Sequence, residues 1–219
     1  MKLTRSICSS DIRKINVLDS SGETVGKVTD LTFTFDGELK LSKFILAGSR
    51  WEEFLESIKV RQDRDPVFDG SLIRQIDDHI HLEATVDSLK TTLDEDAIPK
   101  GDIRLTQIEK MDIVDNTDKK VGRAIAVNFE LDGSVSIIVG GGFIEEKLEA
   151  AGLKTDIDII VPGHVISAIG DKIHLNVSKE SLATTMNDAL KSEEVIKARR
   201  EKPVQRDITK IQLFSHRPM

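Results

Sequence analysis

The residues with most chemical potential are five histidines, one cysteine and two spaced pairs of aspartates. His79 and His81 stand two apart, which places both imidazoles on one side of a strand. Zinc takes four protein ligands in a closed site and three in an open one, so two imidazoles alone predict no metal centre. His81 recurs as His174 in the same Ile-His-Leu context, which predicts a shared packing role for both; His79, His164 and His216 are expected as surface or rim residues. Asp63-x-Asp65 and Asp156-x-Asp158 would suit a divalent cation or an acid–base pair. Calcium needs about six oxygens, and no glutamate-rich cage accompanies either pair. Each pair falls between a helix and a strand, where aspartate commonly organises turns.

Gly140-Gly141-Gly142 precedes a helix and could cradle phosphate. No Gly-Lys-Ser/Thr follows, and Glu145 and Glu146 occupy the first helical turn. Carboxylates there complement the positive helix end and repel phosphate, so the glycines predict a strand-to-helix turn. Cys8 has no histidine beside it to serve as an activating base, and is expected as a free surface thiol. This inventory predicts a non-enzyme with no catalytic residue, no metal ligand and no cofactor.

The chain has 219 residues and a net charge of −7. That length fits one large or two small domains. A single cysteine excludes an internal disulfide. No tyrosine, one tryptophan and an acidic total weigh against a dedicated single-strand nucleic-acid binder. No apolar run is long enough for a membrane-spanning helix and no signal-peptide core is visible, so a cytoplasmic location is expected, possible attachment to a membrane-associated complex included.

The elements that must position these residues come in two copies. Trp51 to Thr92 set against Ile144 to Thr185 gives 17 identities in 42 gapless positions, among them Ile80-His81-Leu82 with Ile173-His174-Leu175. Asp11 to Glu38 set against Gln107 to Ser134 gives eight in 28, including Asp19/Asp115, Gly26/Gly122 and Phe33/Phe129. Conserved order and spacing of this kind mark a tandem repeat. In each copy a short strand (Ile15 to Asp19) and a polar turn lead into a long strand (Val25 to Phe35). Asp36-Gly37 then signals a two-residue hairpin, and a return strand follows (Leu39 to Ala47). Trp51, Phe54, Leu55 and Ile58 share one helical face, as do Ile144, Lys147, Leu148 and Ala151, with Gly152 as C-cap. Two closing strands follow in each copy, Val67 to Ile76 with His79 to Val86, and Asp158 to Ile169 with Lys172 to Val177. Short strands punctuated by turns, with one helix per copy, predict a mainly β protein of two tandem small β-barrels.

Val17-Leu18-Asp19-Ser20-Ser21-Gly22-Glu23-Thr24-Val25-Gly26-Lys27 is echoed by Ile113-Val114-Asp115 and Lys120-Val121-Gly122-Arg123. This segment, with the closing Val161-Pro162 and Ile169-Gly170-Asp171-Lys172-Ile173, resembles the PRC-barrel domain. The inserted helix resembles the archaeal variant. The resemblance covers most of residues 11–87 and 107–178, and the first copy departs from it at Pro66-Val67-Phe68-Asp69. It implies a non-catalytic adaptor fold, used in a reaction-centre subunit, a ribosome-maturation factor and archaeal proteins linked to cell division. Fold alone fixes no partner.

The expected division is a first module over 1–97, a second over 98–190 and a C-terminal helix end and tail over 191–219. Asp94 to Ile103 is expected as a short connection between modules. Trp51 and Phe54, replaced by Ile144 and Lys147 in the second copy, are candidates for barrel cover or for a partner anchor. From Lys191 onward eight Lys/Arg face four Asp/Glu, a tail of +4 on a body of −11. Pro203 stops the helix, and the segment beyond it alternates apolar and polar residues as a docking strand would. Ile211, Leu213 and Phe214 are its candidate anchors, Arg206 and Lys210 its electrostatic guides. The rival reading lays the tail on its own barrels. The function expected is a protein-interaction scaffold or adaptor in a cell-division or membrane-associated assembly, its partner another protein or a second copy of itself; the alternative is an RNA- or ribosome-associated maturation factor.

Overall fold

The computed structural model describes residues 3, 5–47, 65–150, 157–190 and 209–214. The first repeat holds β1 (Ile7–Cys8), α1 (Ser9–Ile12), β2 (Asn16–Leu18), β3 (Thr24–Phe35), β4 (Leu39–Ala47), β5 (Pro66–Asp69), β6 (Ile73–Ile76), β7 (His79–Leu82) and β8 (Lys90–Thr91). The second holds β9 (Ile103–Arg104), α2 (Leu105–Ile108), β10 (Asp112–Val114), β11 (Lys120–Phe129), β12 (Val135–Gly140), α3 (Gly142–Ala150), β13 (Ile157–Pro162), β14 (Ile166–Ile169), β15 (Ile173–Leu175) and α4 (Lys179–Leu190). The tail adds β16 (Thr209–Gln212). The protein is mainly β, as its turn-punctuated apolar runs predict.

Two sheets carry the same order. One path runs β6-β7-β2-β3-β4-β5-β8 and the other β14-β15-β10-β11-β12-β13-β16. In both, the short strand before the motif turn pairs in parallel with the Ile-His-Leu strand of its repeat: Val17 faces Ile80, and Ile113 faces Ile173. Among the described residues neither path closes on itself. The expected two closing strands are three in each copy, because a single 3-10 turn (Gly70–Leu72, Gly163–Val165) interrupts the first of them.

The expected two-residue hairpins are longer turns. Gly37 and Gly133 have positive φ (69° and 84°), while Asp36 and Asp132 do not, so the mirror-image turn cannot form. Instead the Gly133 amide donates to the Glu130 carbonyl (3.0 Å) and the Glu130 amide to the Ser134 carbonyl (3.0 Å), leaving one glycine to carry the left-handed step.

The compact units do not follow the linear cut at residue 97. The first comprises Met1–Phe35, Lys40–Gln107 and Phe129–Val135; the second comprises Asp36–Leu39, Ile108–Asn128 and Ser136–Met219. Each unit therefore contains a hairpin tip from the other repeat. Within the first unit Phe44 stacks on Phe68 (4.9 Å between centroids) across the β4–β5 pair, and Phe33 stacks on Phe129 (6.1 Å). The segment expected to be a connection is part of this unit. Ala97 is buried against Ile45 and Val67, β9 pairs with β3, and Thr32 Oγ1 donates to Asp102 Oδ2 (2.7 Å). Asp30, almost fully buried on β3, accepts from Thr106 Oγ1 (3.0 Å) at the start of α2, with the Arg104 guanidinium 3.6 Å away. Its repeat counterpart is Ala126, so this clamp belongs to one copy.

The closing segments diverge although their sequences agree. Ser88-Leu89-Lys90-Thr91-Thr92 leaves a 3-10 turn and enters β8, which pairs with β5. Ser181-Leu182-Ala183-Thr184-Thr185 lies within α4. Ser178 Oγ accepts the Ser181 amide (3.1 Å) as an N-terminal cap, and Leu182 and Met186, one helical turn apart, are fully buried. In the first copy Asp94 Oδ2 instead accepts the Thr91 amide (2.6 Å) and closes a turn where the helix would continue. With the second copy's segment helical, the edge of β13 is taken by β16 from the tail.

Candidate functional site

The densest grouping of ligand-type side chains among the described residues lies at the β6–β7 turn. Strict alternation builds it. Ile80 and Leu82 point inward and are buried, so His79 and His81 share the opposite face, both half-buried. Asp77 sits in the turn before β7. Its Oδ1 accepts the His79 amide (2.8 Å) and lies 3.2 Å from His81 Nε2, while its Oδ2 accepts from Gln75 Nε2 (2.7 Å). The hydrogen bond from the His79 amide holds the Asp77 carboxyl below the ordinary aspartate range. Burial opposes that shift, and the His81 contact adds to it. The two imidazole rings lie 6.1 Å apart at 62°. One donor atom from each of Asp77, His79 and His81 falls within 4.8 Å of the others. The count of two imidazoles missed Asp77; its signal was a turn aspartate two residues before His79. The second repeat has Gly170, Lys172 and His174 at these positions, so only His81 of the trio is shared.

The motif aspartates organise their own turns. Asp19 Oδ1 accepts the Ser21 amide (2.9 Å), the Ser21 hydroxyl (2.6 Å) and the Glu23 amide (3.1 Å). Asp115 Oδ1 repeats this with the Thr117 amide and hydroxyl (both 2.8 Å) and the Lys119 amide (2.9 Å), and its Oδ2 accepts the Lys179 amide (2.9 Å) at the start of α4. Burial raises the Asp115 carboxyl's pKa, but the donors of Lys119, Thr117 and Lys179 outweigh it and hold the group well below the ordinary range. The motif glycine has a steric cause: a Cβ on Gly122 would stand 2.8 Å from both the Gly140 carbonyl oxygen and Val139 Cγ1. The triple glycine ends β12 and opens α3, with Gly141 and Gly142 at positive φ, as a strand-to-helix turn requires.

Other expected sites fall as follows. Leu213 is fully buried, and its amide donates to the Ile160 carbonyl (2.9 Å). β16 runs parallel to β13 with Lys210 opposite Asp158 and Ile211 opposite Ile159; Phe214 is half-buried beyond it. The tail strand therefore lies on its own chain, and Leu213 is taken up by that packing rather than held free as an anchor. The cause is the edge of β13, which the helical α4 segment leaves to another strand. Trp51, Phe54 and Arg206 lie outside the described residues, as do Asp63 and Asp156. Cys8, expected to be exposed, is buried in β1 and accepts from Ser10 Oγ (3.2 Å). No helix among the described residues is long and apolar enough to cross a membrane. In comparisons with known proteins, no family model and no curated protein matches the chain.

Proposed function

We propose that this chain is a non-catalytic protein-interaction scaffold built from two PRC-barrel-like modules, working in the cytoplasm within a cell-division or membrane-associated assembly. The observation that carries the reading is strand capture at a sheet edge. Thr209–Gln212, a segment outside both repeats, is held in parallel register on β13 over four residues. Backbone pairing of this kind is a general mode of peptide recognition. The motif residues support it too, since Asp19 and Asp115 are occupied in holding turns. The barrel-like assignment rests on the resemblance of the doubled Val-Gly-Lys/Arg motif and on the matching strand orders. Affinity purification of the full chain at native expression tests the proposal. A protein recovered in fixed ratio is the expected result, and a chain recovered only alone would contradict it.

A further inference from the structure

We propose that Asp77, His79 and His81 form a binding site for a divalent transition-metal ion of the zinc class, peculiar to the first repeat. Geometry carries the inference. An ion about 2.1 Å from each donor, with angles of roughly 90–109°, holds neighbouring donors roughly 3.0–3.4 Å apart. Asp77 Oδ1 and His81 Nε2 already stand 3.2 Å apart, and the third donor, from His79, is within 4.8 Å of both. His79 is thus the one ligand whose side chain would have to turn inward on binding. The donors come from a strand and the tight turn that leads into it, so the backbone fixes their spacing. β7 is hydrogen-bonded on both sides, antiparallel to β6 and parallel to β2. Asp77 is itself oriented by the His79 amide and by Gln75 Nε2, the outer support that ligating carboxylates usually have.

Two imidazoles and one carboxylate select the metal. Nitrogen donors suit zinc, nickel and copper, whereas magnesium and calcium prefer all-oxygen sites. Three protein ligands leave at least one coordination position open to water or to a donor from a partner. The half-buried setting of all three residues gives an ion access from solvent. The second repeat supplies an internal control, because His174 there has Gly170 and Lys172 in place of Asp77 and His79.

Titration of the tag-free full chain with Zn2+ by calorimetry, alongside Mg2+, tests the site. The expected result is one equivalent of Zn2+, saturating below about 100 μM, and no Mg2+ binding in that range. His81→Gln and Asp77→Asn should each lose at least the roughly 10–100-fold typical of a disturbed metal site, while His174→Gln should bind as the parent does. Imidazole nitrogen spectra of the unsubstituted chain give a readout that needs no variant: His79 and His81 should shift on adding Zn2+, and His174 should not. No saturable binding, or binding with His79 and His81 unshifted, would overturn the proposal.

Discussion

The rings of Phe33 and Phe129, equivalent residues of the two repeats, stack with centroids 6.1 Å apart and planes inclined by 19°. Both are fully buried, and both belong to the first compact unit. That unit thus takes part of its core from a hairpin tip encoded in the second repeat. Phe33→Ala and Phe129→Ala should each cost about 3–5 kcal/mol, the usual loss for a buried phenylalanine. Their double-mutant cycle should show a coupling of about 0.5–1.5 kcal/mol. Urea unfolding measured by two probes checks both, and strictly additive losses would dissolve the coupling.

A fragment ending at residue 97 lacks Phe129–Val135 and also the segment containing β9, which pairs with β3. Such a fragment should not reach a cooperative fold, and the full chain should unfold in one transition. Calorimetry of both decides the matter. Two separate transitions, each reproduced by an isolated half, would show that the linear halves fold alone.

Asp115 links the motif turn to the first turn of α4, where a carboxylate also complements the helix dipole. Asp115→Ala should cost about 1–3 kcal/mol, because it leaves several amide donors without their acceptor. The folded-state pKa is depressed, so the stabilisation is fully present above the unfolded value of about 4. It is lost as pH falls through the lower folded value. Denaturant midpoints between pH 7 and 3 should therefore fall more steeply for the parent than for Asp115→Asn; equal slopes would remove Asp115 from the acid response.

Gly122→Ala places a methyl group 2.8 Å from the Gly140 carbonyl oxygen and from Val139 Cγ1. Relief requires β11 and the end of β12 to part, at a cost of about 1–3 kcal/mol. Gly133→Ala meets no atom within 4 Å and is strained only by its φ of 84°, so it should cost less. Thermal denaturation of the two variants gives the order directly.

Leu213→Ala should lower stability by about 2–5 kcal/mol, since the side chain is fully buried. Removing residues 204–219 should cost at least as much, because it also strips β16 from the edge of β13. Unchanged unfolding of the truncated chain would mean that the strand is not held in solution.

Much of this architecture was legible in the sequence, and the failures have identifiable causes. Partial apolar alternation located β3, while the Asp-Gly turn located its return strand β4 and the repeat carried both over to β11 and β12. Repeat arithmetic located the shared order, but it could not show Ser88-Leu89-x-Thr91-Thr92 as turn and strand while its near-identical twin is helix. The deciding features lie outside the matched residues: Asp94 closes a turn in one copy, whereas Met186 adds a second buried position in the other. The His79/His81 spacing was visible, yet the third donor arises from the turn geometry that brings Asp77 back onto β7. Burial of Cys8 was equally hidden, since a two-residue strand carries too little pattern to read.

Native purification of the full chain, with and without nuclease and at two salt concentrations, tests the scaffold function most directly. The predicted result is a protein partner in constant ratio to the chain, unaffected by nuclease and only weakly sensitive to salt. Loss of the partner on nuclease treatment, with recovery falling by orders of magnitude as salt rises from about 50 to 200 mM, would contradict it and establish an RNA-bound assembly.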